Sequence, residues 1–156
     1  MTLTRRRIGQ LAGLGAVVFA LSAGAALPAA GVARPDLVEG KVSNPPEQLG
    51  AGQSFKISDL TRNRGLAAAR ASTTGYYLAK RGTRTLIGSR KVRRLGAGAT
   101  STGSALATVP RETRVGLYSV LACADAGRKV RESRERNNCR AAARQLLVGK
   151  PPPPPD

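Results

Sequence analysis

The chain contains no histidine and no tryptophan, and only nine of its 156 residues are acidic. Without histidine, the usual Ser-His-Asp triad and the common zinc hydrolase sites cannot form. A nucleophilic cysteine would also lack its usual basic partner. A glycosidase needs two cooperating carboxylates, and no pair stands out among the scattered acidic residues. We therefore predict a protein that is not an enzyme and that uses no metal, cofactor or small-molecule substrate.

Residues 1–33 show the three parts of a secretory signal peptide. "MTLTRRR" is basic, "IGQLAGLGAVVFALSAGAALPAA" carries no charge, and small residues at Gly31 and Ala33 suit cleavage near Arg34. This pattern predicts a secreted or cell-surface protein. "TRRRIG" resembles a twin-arginine signal, so the Sec and twin-arginine routes both stay open. An uncleaved anchor is the alternative, and it would be the protein's one link to a membrane.

Acidic residues are too few to balance the basic ones. Without residues 1–33 the chain keeps 23 Lys and Arg against nine Asp and Glu, a net charge of +14. Such a charge attracts polyanions and weakens with salt. The alternative is that an arginine-rich composition reflects genomic base composition. The densest cluster, a candidate anion site, contains Arg90, Lys91, Arg93 and Arg94. Strand alternation would divide it between two faces, so a solvated strand edge is a second interpretation.

Turn-forming residues divide residues 36–149 into seven short apolar segments. β-branched and aromatic residues favour strands in most of them, which predicts an all-β, two-sheet sandwich of seven strands. Two segments, "GLAAARA" and "CRAAARQLLV", have helix propensity but no helix-starting cap, and we assign the second to a strand. The final residues, 150–156, form a proline-rich tail that would adopt polyproline II.

Cys123 and Cys139 are the only cysteines. Their single long spacing and the absence of histidine argue against zinc, and two cysteines in an exported chain usually pair. A disulfide would clamp the base of a hairpin between "GLYSVLACADA" and "CRAAARQLLV". The enclosed loop offers oxygen donors that either order its backbone or, as a weaker alternative, bind calcium. These donors are Asp125, Glu132, Glu135, Asn137 and Asn138.

Several ordered motifs over residues 35–149 resemble the CARDB domain, a bacterial cell-adhesion-related module. They include "NPPEQLGAGQSFKISDLTRNRGLAAARASTTGYYLA" with Asn63 and Gly65, and "GLYSVLACADAGRKVRESRERNNC" with both cysteines. The resemblance implies an immunoglobulin-like (fibronectin-III-like) seven-stranded sandwich. It also implies that the cysteines lie at the ends of the last hairpin, and that the module is a surface or secreted one without shared catalytic residues.

The leading hypothesis is an exported, disulfide-stapled binding or adhesion module that contacts an acidic cell-envelope polymer or a surface protein. A structural spacer or oligomerisation module without its own ligand is the alternative. Nucleic-acid binding is the lesser alternative, because single-strand binders stack bases on exposed aromatic side chains and this chain has few aromatics.

Overall fold

The computed structural model describes residues 32–150. Most of the predicted signal peptide and the proline tail, at 1–31 and 151–156, lie outside the described residues. Residues 32–150 form strands and no helix, and hence no helix that could cross a membrane. The strands are β1 (Leu37–Val42), β2 (Gln48–Gly50), β3 (Ser54–Asn63), β4 (Ser72–Lys80), β5 (Thr83–Val92), β6 (Thr100–Thr108), β7 (Gly116–Cys123), β8 (Cys139–Ala141) and β9 (Leu146–Gly149).

The strands form two sheets. One has the order β1-β3-β6, and the other has the order β2-β9-β7-β4-β5, with β8 pairing to β7 beside this path. The short β2 pairs in parallel with β9, whereas the other strand pairs are antiparallel. The prediction of an all-β immunoglobulin-like sandwich is confirmed.

The core lies between the sheets and follows the alternation of the strands. On β3, Phe55 and Ile57 point inward, and on the opposite sheet Leu78 and Val120 are almost completely buried. Tyr76 is the largest side chain with no exposed surface. A period of two places every second side chain on one face, so these segments form half-buried strands and not helices.

The strand count differs from the prediction at two places. The segment that begins at Cys139 is not one strand but two, because residues 142–145 interrupt the strand between β8 and β9, and both strands pair with β7. Residues 48–50 add the three-residue β2, which was not among the seven predicted segments. A strand of three residues is too short for an alternation to be recognised in the sequence. β2 is defined instead by its parallel pairing with β9.

The alanine-rich "GLAAARA" does not form a helix. Ala69 is fully buried and forms an isolated antiparallel bridge with Leu95. Burial and this backbone pairing outweigh the helix propensity of a short, uncapped alanine segment.

Asn63 fixes the loops at one end of the sandwich. Its Oδ1 accepts hydrogen bonds from the backbone N–H groups of Asp36 and Gly65, and its Nδ2 donates to the carbonyls of Ala67, Leu95 and Gly96. A Cβ at Gly65 would lie 2.3 Å from the carbonyl oxygen of Arg34. The spacing of Asn63 and Gly65 therefore has a physical cause: the amide holds a loop that approaches the chain too closely for a side chain.

Candidate functional site

A polar cluster interrupts the apolar core between the two sheets. On β3 the inward-facing positions after Ile57 are Asp59 and Thr61, which are 3% and 0% exposed. The Asp59 carboxylate accepts two hydrogen bonds from Arg90, at 2.6 and 2.5 Å, and one from the Tyr76 hydroxyl at 2.5 Å. Because Tyr76 and Arg90 lie on β4 and β5, the cluster joins one sheet to the other.

Arg90 therefore does not belong to an exposed basic cluster, which corrects the sequence-based grouping. Its side chain is 9% exposed, and its guanidinium also donates to the carbonyl of Ser101 at 2.9 Å and to the hydroxyl of Thr61 at 3.1 Å. Arg90 occupies an inward position of β5 two residues before the buried Val92. Its charge is neutralised by Asp59, so it cannot serve as an anion-binding group.

Glu39 lies beside this ion pair and is 5% exposed. Its Oε1 accepts hydrogen bonds from the hydroxyls of Thr61 and Thr74, both at 3.0 Å, while its buried Oε2 has no partner. Burial, reinforced by the charge of Asp59, raises the pKa of Glu39 to about 8. Burial alone would also raise the pKa of Asp59, but hydrogen bonds from Arg90 and Tyr76 lower it below its ordinary value. At neutral pH the cluster therefore holds one charged carboxylate and one neutral carboxyl.

This arrangement predicts a pH dependence of stability. The folded protein binds the Glu39 proton more tightly than the unfolded chain, so the free energy of unfolding falls as pH rises from about 4.5 to 8 and then levels. Burial also raises the pKa of Glu132, to about 7, so the free energy of unfolding falls with rising pH at this residue too. Between pH 7 and 8 Glu39 contributes more of this decline than Glu132 does, so in thermal unfolding over this range Glu39→Gln should lose most of the decline seen in the wild type.

Glu47→Gln is the matched control, because the Glu47 side chain is 83% exposed. It should keep the pH dependence of the wild type. Parallel melting profiles for wild type and Glu39→Gln across this range would show that Glu39 ionises normally.

The two cysteines form a disulfide, as predicted. Cys123 and Cys139 are directly opposite each other at the paired ends of β7 and β8, with their Cα atoms 4.0 Å apart. The bond closes the last hairpin, as the resemblance implied, and does not connect the two sheets. Arg84 lies beside it, with Nη1 3.5 Å from the sulfur of Cys139.

The loop donors that were considered for calcium contact the protein itself. Asp125 accepts from the backbone N–H groups of Lys129 and Val130, and Glu132 accepts from Leu37 N–H and from Asn138. Glu135 accepts from the N–H of Glu132, and Asn137 donates to Asp36. Within residues 32–150, no three Asp, Glu, Cys or His residues are arranged to hold a metal ion. These contacts tie the loop to β1 and to its own backbone.

Three other arginines line a cleft that the sequence did not indicate. Arg62, Arg64 and Arg140 border a space of about 530 Å³ beside β1, the end of β3 and β8. Nearly eighty residues separate Arg64 from Arg140, so only the pairing of strands could reveal that they share a cleft. The remaining members of the predicted basic cluster, Lys91, Arg93 and Arg94, are exposed but lie at and after the end of β5.

The fold and the stapled last hairpin define a small immunoglobulin-like module. The CARDB family model matches residues 34–142, and the chain belongs to the CARDB family. Its fold is similar to a CARDB domain from Pyrococcus furiosus that was solved with di-metal ions, with a TM-score of 0.52 and 22% identity over 74% of this chain and 94% of that one. No curated protein matches the chain in sequence.

Two further solved structures are similar in fold. A domain of a protein described as a cell-surface protein from Methanosarcina acetivorans has a TM-score of 0.53 and 16% identity, over 74% of this chain and 92% of that one. A β-glucosidase from Erythrobacter marinus has a TM-score of 0.50 and 14% identity, over 74% of this chain but only 16% of the enzyme. The similarity to the glucosidase concerns a small part of that enzyme.

Proposed function

We propose that the protein is an exported, non-catalytic adhesion module that binds an acidic polymer of the cell envelope. One observation carries this proposal: the fold buries its acidic side chains and exposes its basic ones. Five of the eight acidic residues in 32–150 are buried, namely Asp36, Glu39, Asp59, Asp125 and Glu132. Among the 23 basic residues of the same range, only Arg90 and Arg144 form salt bridges. The solvent-exposed charges of the described residues are therefore predominantly basic.

Three further findings support the proposal. The family is cell-adhesion-related, one similar structure comes from a protein described as a cell-surface protein, and residues 1–33 have the pattern of a signal peptide. The available aromatic side chains do not favour nucleic acid, because Tyr76 is in the core and cationic groups already lie over the other two tyrosine rings, Arg84 over Tyr77 and Lys80 over Tyr118. We propose that the polar side chains of the loop order its backbone and do not bind a metal ion; they are Asp125, Glu132, Glu135, Asn137 and Asn138. The similar Pyrococcus domain, in contrast, was solved with di-metal ions.

The test is a binding titration of the processed, oxidised protein. Purified cell envelope and duplex DNA, a reference polyanion without carboxylate or sulfate groups, are each titrated from low to high salt. We expect saturable envelope binding that persists at salt concentrations where the DNA signal has faded, because a specific site depends less on long-range charge than a diffuse one does. Equal loss of both signals would indicate general attraction and favour a spacer. Repeating the titration with calcium and with a chelator should leave the binding unchanged.

A further inference from the structure

The cleft lined by Arg62, Arg64 and Arg140, called the arginine cleft below, is one of two places on the described surface where three basic residues border one space. All three side chains belong to exposed residues, and the cleft of about 530 Å³ is open to solvent. A guanidinium presents a planar fork of donors that matches both oxygens of a carboxylate, sulfate or phosphate. Three arginines that border one space are suited to adjacent anionic groups.

The arginine cleft has no charged counter-ion of its own at neutral pH. Glu39 is its one acidic lining residue, and its carboxyl turns inward to the hydroxyls of Thr61 and Thr74. With its pKa raised to about 8, that carboxyl is mainly uncharged at pH 7. Asn137, also in the lining, has its Nδ2 engaged by Asp36. The positive charge of the cleft is therefore left for a ligand to neutralise.

The backbone that carries the three arginines is anchored on both sides. Arg62 and Arg64 flank Asn63, whose side chain makes five hydrogen bonds to the surrounding loops, and Arg62 is paired with Val38 of β1. Arg140 directly follows the disulfide-bonded Cys139. Because this backbone is already ordered, binding loses less conformational entropy here than it would at a mobile basic loop.

A second basic cleft is lined by Lys80, Arg81, Arg114 and Tyr118, but one of its cations is already engaged within the protein. The ammonium of Lys80 lies 4.8 Å from the ring centre of Tyr118. The arginine cleft has no aromatic residue in its lining, which disfavours the base stacking on which single-stranded nucleic acids depend.

We propose that the arginine cleft is the site at which this protein binds the oxyanion groups of an acidic polysaccharide, carboxylate or sulfate. This inference rests on the proposed function and locates it at three residues. It also predicts that the basic residues at the end of β5 contribute only through general attraction.

The test compares two triple variants that remove the same charge. Arg62→Ala/Arg64→Ala/Arg140→Ala empties the cleft, while Lys91→Ala/Arg93→Ala/Arg94→Ala is the matched control. Affinity for polygalacturonate and for dextran sulfate is measured at physiological salt, with neutral dextran as the blank. The cleft variant should bind about tenfold or more weakly, because it loses charge-assisted hydrogen bonds, and the control by no more than about threefold. The polymer that binds more tightly identifies carboxylate or sulfate as the preferred group.

The outcomes separate the two proposals. If the wild type binds neither anionic polymer nor envelope, the proposed function itself fails. If it binds and the two triple variants weaken equally, the function stands and the arginine cleft is overturned as its site. Should the alanine variant not fold, Arg62→Lys/Arg64→Lys/Arg140→Lys keeps the charge without the fork. It should bind about threefold more weakly, and affinity equal to the wild type would overturn the proposal.

Discussion

Replacing Arg90 by alanine is expected to lower the free energy of unfolding by about 3–5 kcal/mol, because it leaves a buried carboxylate without its partner. Asp59 is almost fully enclosed, and Arg90 supplies its one salt bridge and two of its hydrogen bonds. The same substitution also leaves the carbonyl of Ser101 without the guanidinium that donates to it. Equilibrium unfolding in urea at pH 7 measures the loss.

The exposed salt bridge of this structure supplies the matched control. Arg144 and Glu47 are 3.1 Å apart, with side chains 52% and 83% exposed, so Arg144→Ala should cost no more than about 1 kcal/mol. The double variant Asp59→Ala/Arg90→Ala should be less destabilised than the sum of the two single changes. A loss of about 1 kcal/mol for Arg90→Ala, similar to the control, would mean that water compensates Asp59.

Replacing both cysteines by serine is expected to lower the free energy of unfolding by about 3 kcal/mol. The disulfide joins positions 16 residues apart, and a loop of this length loses about that much conformational entropy when it is closed in the unfolded chain. The loop it closes carries Asp125 and Glu132, whose hydrogen bonds hold the chain around Val130 and β1. Thermal and urea unfolding of Cys123→Ser/Cys139→Ser would give the difference.

The wild type measured with and without reductant is the internal control for this prediction. The reduced wild type and the double serine variant should have similar stability, since both lack the cross-link. Free thiols in the exported protein, or a double serine variant as stable as the oxidised wild type, would contradict the stapling role.

The sequence indicated the sandwich because segments rich in β-branched and aromatic residues recur between turn-forming residues, and because Phe55 and Ile57 alternate with polar residues on β3. It indicated the disulfide because few alternatives exist for two cysteines in an exported chain. The buried polar cluster was missed, although β3 carries a signal: Phe55 and Ile57 are followed at the same period of two by Asp59 and Thr61. A polar residue that continues an apolar face is a candidate for a buried, paired group.

The basic residues were the least predictable part of the chain. A run of charges such as Arg90–Arg94 is visible in the sequence, but whether a member faces a buried carboxylate depends on the opposite sheet. Arg90 was therefore grouped with the wrong neighbours. Conversely, the arginine cleft draws residues from β8 and from the end of β3, two distant parts of the chain, and no local pattern connects them.

The most direct measurement of the central claim is a nuclear magnetic resonance titration of the processed, ¹⁵N-labelled protein with a short polygalacturonate fragment. Chemical shift changes should concentrate on the backbone amides of residues 38–40, 62, 64, 98, 137, 139 and 140, which border the arginine cleft. They should saturate with a single affinity. Changes centred on Lys91, Arg93 and Arg94, or spread evenly over the basic surface, would contradict a specific anion site in the cleft.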